Sequence, residues 1–201
     1  MPDPSLKKID ETIYELRESL SAIHQDTSER AEILFNLGDQ LIQRYGLSRQ
    51  LQDLDESINL FQEAVIHSSL DQTWFSISKG MLGVGQLYRY LSADHLEDLE
   101  RSIGNEEQAL EIVPRDSPWR SEFAETLCIS LLERYWRFEQ SADLDKAFQV
   151  LQDVSEDVDL MRGPLRYLNE KESVQDLERR IRSLRTDIQK ISPNDPDLLP
   201  V

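Results

Sequence analysis

Residues 43–58 read QRYGLSRQLQDLDESI. An Arg-Tyr pair closes one apolar stretch, a polar gap follows, and Asp-Leu-acid opens the next. The wording recurs at 88–103 (YRYLSADHLEDLERSI) and at 133–148 (ERYWRFEQSADLDKAF), each 45 residues on. An active site is built once, so a feature built three times reads as architecture. The interval holds without a gap from 37 to 154: Leu37, Leu82 and Leu127; Arg44, Arg89 and Arg134; Tyr45, Tyr90 and Tyr135; Asp53, Asp98 and Asp143; Leu54, Leu99 and Leu144. Asp55, Glu100 and Asp145 keep an acid, and Ile58, Ile103 and Phe148 keep bulk. Counting back, Leu54 and Ile58 become Ile9 and Ile13, so residues 5–24 look like half a unit.

Each unit holds two helical patterns. The first, A, carries Leu34, Leu37, Leu41 and Tyr45; the second, B, carries Leu54, Ile58, Phe61 and Val65. Both spacings place the apolar residues on one face of a helix. No alternating strand pattern appears. The expected helices are 5–24, 28–45, 54–68, 73–91, 98–112, 118–138, 143–155 and 172–191, with a short one around 165–170. A lone helical hairpin cannot bury both faces, and stacking neighbours makes the core continuous. The expected fold is all-α, a single domain over 1–192 with units at about 28–70, 73–115 and 118–156. A shortened fourth A element leads to a B-like cap at 172–191, and residues 193–201, rich in proline, form a tail.

Composition limits the function. The chain has 201 residues and a formal net charge of −17, with 39 acidic against 22 basic side chains. Such a field repels phosphate backbones and anionic lipid, so nucleic acid and membrane surfaces are poor partners. It suits basic or neutral polypeptides. The single cysteine, Cys128, allows no intramolecular disulfide. The first 25 residues lack the apolar core of a signal peptide, and no apolar run reaches membrane-span length. A cytoplasmic location is the expectation.

Leu37-Gly38 followed by Ser57, Phe61 and Ala64 gives an order of small and bulky residues that resembles the tetratricopeptide repeat. The usual period there is about 34 residues; here it is 45. This long form looks like arrays in fungal multidomain proteins, which accompany caspase-like CHAT domains or nucleotide-binding signalling domains. The resemblance covers about residues 5–155 and implies a right-handed superhelix of antiparallel helix pairs. It implies a non-catalytic scaffold without cofactor or metal, binding a protein or peptide on its concave face. A regulatory or oligomerisation module of such a signalling system, with self-association, is the alternative. The family's groove positions fall on Phe35, Asp39 and Gln43 in unit one, Val84 and Tyr88 in unit two, and Glu125, Ile129 and Glu133 in unit three. Chaperone-binding members clamp a terminal carboxylate with lysines and asparagines there. Phe35, Asp39 and Gln43 cannot do so, and the mixed apolar and acidic lining suits a basic segment.

The remaining polar residues have structural readings. Asp53, Asp98 and Asp143 are expected to cap the B helices. Tyr45, Tyr90 and Tyr135 are expected to plug the ends of the A helices, hydroxyl toward water. Arg44, Arg89 and Arg134 favour the helix ends and can reach an acidic loop residue. Cys128 takes the place of Gly38 and Gly83, which predicts a buried, inert thiol. Trp74 and Trp119 read as contacts between units. His24, His67 and His95 share no register and no metal spacing. Arg179, Arg180, Arg182 and Arg185 stand out in an acidic chain, either as a solvated cap face or as a self-association or intramolecular docking surface for the acidic body.

Overall fold

The computed structural model describes residues 4–23, 28–68 and 71–157. Helices follow in the order α1 (Pro4–Ala22), α2 (Ser28–Ser48), α3 (Leu51–His67), α4 (Gln72–Ala93), α5 (Leu96–Ile112), α6 (Trp119–Phe138) and α7 (Ser141–Asp157), and no strand occurs among the described residues. Short links turn each helix back on the one before it. Arg44 near the end of α2 bonds Asp53 at the start of α3, while Arg30 near the start of α2 bonds Glu63 near the end of α3. The pair is therefore antiparallel. The expected elements beyond residue 157, with Arg179, Arg180, Arg182 and Arg185, lie outside the described residues.

The core repeats with the sequence. Ile13, Ile58 and Ile103 are buried at equivalent points of α1, α3 and α5. Each such side chain withdrawn from water contributes about 1.5–3 kcal/mol. Small residues stand where helices cross: Ser57, Ala64, Ser102, Ala109 and Ala147 are fully buried. One cluster joins α1, α2 and α3 through Ile13, Leu34, Leu37, Leu41 and Leu60, and a central one joins α2 to α6 through Phe35, Phe61, Met81, Val84 and Phe123. The array is an all-helical solenoid.

The A helices α2, α4 and α6 also touch one another from unit to unit. The B helices are linked by long charged side chains instead: Arg17 of α1 to Glu56 of α3, and Lys146 of α7 to Glu107 of α5, both at 2.6 Å. Closer approach on the A side places the A helices on the inner side of the curve. The two outer bridges occupy equivalent positions 90 residues apart with the signs exchanged.

The joint between A and B differs from its expected form. The B helices begin at Leu51, Leu96 and Ser141, before the aspartates. Gln50 and His95 are the N-cap residues of α3 and α5, and neither makes a side-chain cap bond. Asp53, Asp98 and Asp143 thus sit inside the first turn, buried, and are not caps. Their carboxylates are gripped by two nitrogens each of Arg44, Arg89 and Arg134 at 2.6–3.1 Å. The third guanidinium nitrogen reaches the preceding B helix, at Asp10, Asp55 and Glu100, 2.7–3.0 Å away. Bidentate pairing suits the planar fork of arginine. These arginines meet helical acids in two units and not a loop residue.

The tyrosines also bridge units. The Tyr45 hydroxyl pairs with Ser92, and Tyr90 pairs with Arg137, two residues past the next tyrosine in both cases. Tyr45 and Tyr90 are buried, so the expected water-facing hydroxyl is replaced by a contact with the next unit. After each tyrosine, Arg49, Asp94 and Glu139 adopt left-handed backbone, with φ of 58°, 53° and 53°. Their N–H groups donate to the carbonyls of Tyr45, Tyr90 and Tyr135, which ends each A helix with an αL cap.

Candidate interaction face

Helix α4 decides what the inner face offers. Gly80 stands where unit one has Phe35 and unit three has Glu125. A β-carbon there would lie 2.3 Å from the Phe123 ring. With that bulk absent, side chains from α2 and α6 meet over α4. Phe35 packs edge-on against Trp74 and Trp119, with ring centroids 5.4 and 5.7 Å away, and Trp119 stacks on Phe123 at 6.1 Å. The tryptophans make the contacts between units expected of them.

The aromatic plug corrects part of the expected groove. Phe35 and Val84 belong to the central core and are buried, and Glu133 is buried as well. None of the three is open to a partner. Gln43 is exposed, while Asp39, Tyr88 and Ile129 are partly exposed. Gln43 donates to the Asp39 carboxylate at 2.8 Å.

Acidic side chains gather around this remainder. Glu122 of α6 feels the charges of Asp39 of α2, across α4, and of Glu125, and Tyr88 of α4 feels both glutamates and Arg49. Burial, then the charges of Asp39 and Glu125, pushes the Glu122 carboxyl up. Burial raises Asp39 against the opposing bonds from Gln43 and Gln40. Among the described residues no cation pairs with these three carboxylates. Glu122 was not among the expected groove positions. Its counterparts, Glu32 and Ile77, show that this position varies between units, and such variation was the signal available.

A fourth carboxyl is hidden behind α4. Glu106 takes the place held by Phe61 in unit one, is fully buried, and has no hydrogen-bond partner on either oxygen. Gly83 makes the room, since a β-carbon there would lie 2.6 Å from Oε1 of Glu106. Burial first, and the Glu122 charge second, pushes its pKa well above the usual carboxylate range.

Cys128 is buried as its register predicts, its thiol donating to the Ala147 carbonyl at 3.5 Å. Burial pushes the thiol up to about 12. His67 stands 3.7 Å from Glu63, and His95 is exposed before α5. Among the described residues no group of three metal-ligating side chains forms, and no helix is long and apolar enough to cross a membrane. A hollow of about 230 Å³ lies between α5, α6 and α7, lined by Leu110, Arg120, Leu127, Lys146 and Val150 among others. It falls below the roughly 300–1,000 Å³ usual for small-molecule sites. Compared with known proteins, the chain matches no family model and no curated protein.

Proposed function

We propose that the chain is a non-catalytic interaction module, a tetratricopeptide-like array that binds a basic peptide or protein segment along its inner face. One observation carries this reading. The repeated acids of the joints are matched by arginines, whereas among the described residues Asp39, Glu122 and Glu125 gather on the inner face with no cation paired to any of them, Arg49 acting instead on the neighbouring Tyr88. A lysine- or arginine-bearing segment supplies the missing charge, and the Tyr88 ring and Ile129 offer apolar contact beside it. The binding needs no cofactor, and the shape of the face together with its charge selects the partner.

The test is titration of the whole chain with a library of lysine- and arginine-rich peptides and their acidic counterparts, at two salt concentrations. Basic peptides bind, more weakly in high salt, and the combined change Asp39→Asn, Glu122→Gln and Glu125→Gln lowers affinity about tenfold or more. Equal binding of both libraries, or affinity unmoved by the triple change, sinks the assignment.

A further inference from the structure

Arg49 is a cation that the folded array leaves without an acid. Arg44, Arg89 and Arg134 fill the joints, and Arg17, Arg30, Arg101 and Arg137 each hold a carboxylate. Arg49, in the link between α2 and α3, makes no ion pair among the described residues, and its Nε is buried without an acceptor. The residue is partly exposed, and its guanidinium lies over the Tyr45 ring, 5.3 Å from the centre. Stacking of this kind holds the planar fork in place.

Helix electrostatics do not account for it. A cation suits the C-terminal end of α2. Yet the equivalent positions after α4 and α6 are Asp94 and Glu139. Asp94 is matched by Arg137, whereas the counterpart of Arg137 in unit one is Leu47, which offers Arg49 no charge.

The position of Arg49 is set by Tyr88. Helix α4 lies between α2 and α6, and Tyr88 is partly exposed on it. Burial, then the charges of Glu122 and Glu125 from α6, pushes the Tyr88 hydroxyl up, and Arg49 at the end of α2 opposes them. The open part of the inner face therefore carries both signs around one tyrosine. On the reading that a basic segment lies along this face, we propose that the segment is bipolar: its lysine or arginine meets Asp39, Glu122 and Glu125, and an aspartate or glutamate of the same segment pairs with Arg49.

Helix geometry sets the spacing. Counted from Asp39, Arg49 is ten residues on, and Tyr45, under its guanidinium, is six. At the rise of an α-helix the two charges stand about 9–15 Å apart. An extended segment covers that distance in about three to five residues.

Fluorescence anisotropy with the whole chain and labelled peptides tests this. The peptides share a Lys-Lys core in a neutral Gly-Ser frame. One has an aspartate four residues from the core, made in both directions; one has asparagine there; one has the aspartate next to the core. In one direction the distant aspartate tightens binding about fivefold over asparagine, the upper end for a partly exposed ion pair. The adjacent aspartate gives no such gain. Arg49→Gln abolishes the gain, and Arg49→Glu turns it into a loss. Equal affinity of the aspartate and asparagine peptides overturns the proposal, as does a gain that survives Arg49→Gln or is matched by the adjacent aspartate. The first comparison changes only the peptide, so it holds whether or not a variant folds. The asparagine peptide scores the basic-segment reading by itself. If it binds and the aspartate adds nothing, only the bipolar partner falls; if no peptide binds, both fall.

Discussion

Arg89 holds both carboxylate oxygens of Asp98, at 2.7 Å each, across the link between α4 and α5. Asp98 is 1% exposed, so this charge has exchanged water for the guanidinium. Arg89→Ala leaves it buried without a partner and lowers stability by about 3–5 kcal/mol in urea denaturation. Arg89→Lys recovers only part of that, because an ammonium cannot grip both oxygens in one plane. A loss below about 1 kcal/mol in the alanine variant contradicts the joint.

Glu106 gives the chain an unusual pH response. Burial, with the Glu122 charge second, raises its folded pKa well above the usual carboxylate range, so the folded form holds a proton that the unfolded chain releases. That contribution to stability is fully present below the unfolded value and is lost as pH rises toward the folded one. Glu106→Gln, which keeps the shape, is expected to be more stable than the native chain by about 2 kcal/mol at pH 7. The difference shrinks as pH falls toward 5. Urea midpoints measured across that range check it, and parallel curves for the two proteins refute it.

The glycines separate into two kinds. Gly80→Ala drives a β-carbon into the Phe123 ring, which is fully buried, and costs about 1–3 kcal/mol. At Gly46 and Gly104, both within helices, nothing lies within 4 Å of an added β-carbon. Alanine at either is expected to add about 0.5–1 kcal/mol. Thermal melts that rank the three variants otherwise contradict the packing of α4.

Glu139 is exposed and holds a left-handed backbone at φ 53°. Glu139→Gly relieves the β-carbon strain and raises stability by about 1 kcal/mol, whereas Glu139→Val lowers it. A glycine variant that melts below the native chain counts against the αL cap.

Cys128 should resist thiol reagents at pH 8 in the folded chain and react on addition of denaturant. Its burial and high pKa leave almost no thiolate. Rapid modification without denaturant contradicts its placement.

The 45-residue interval located the helices and the buried series Ile13, Ile58 and Ile103, because helical periodicity is a local property of the chain. The joint was harder to read. An aspartate just before a hydrophobic helical pattern has two competing partners, the free N–H groups of the first turn and a cation brought near by folding. Sequence shows only the first. Arg44 and Asp10 are 34 residues apart on different helices, and nothing local announces their meeting. The inner face was read by carrying positions across from a resemblance. Asp39 and Tyr88 are partly exposed. Phe35 and Val84 are buried, since the glycine at position 80 allowed aromatic rings to fill the floor between α2 and α6.

The outer bridges carry a consequence for how copies recognise one another. The three arginine joints are interchangeable, and by themselves they would let any unit sit beside any other. The bridges are not. A deletion of 45 residues that preserved every joint, such as loss of 18–62, would set Arg17 against Arg101 in place of Glu56. A deletion of 90 that kept Arg17 and Lys146 would set those two cations face to face. The joints supply the grammar of stacking, and the exchanged signs on the outside give each unit an address.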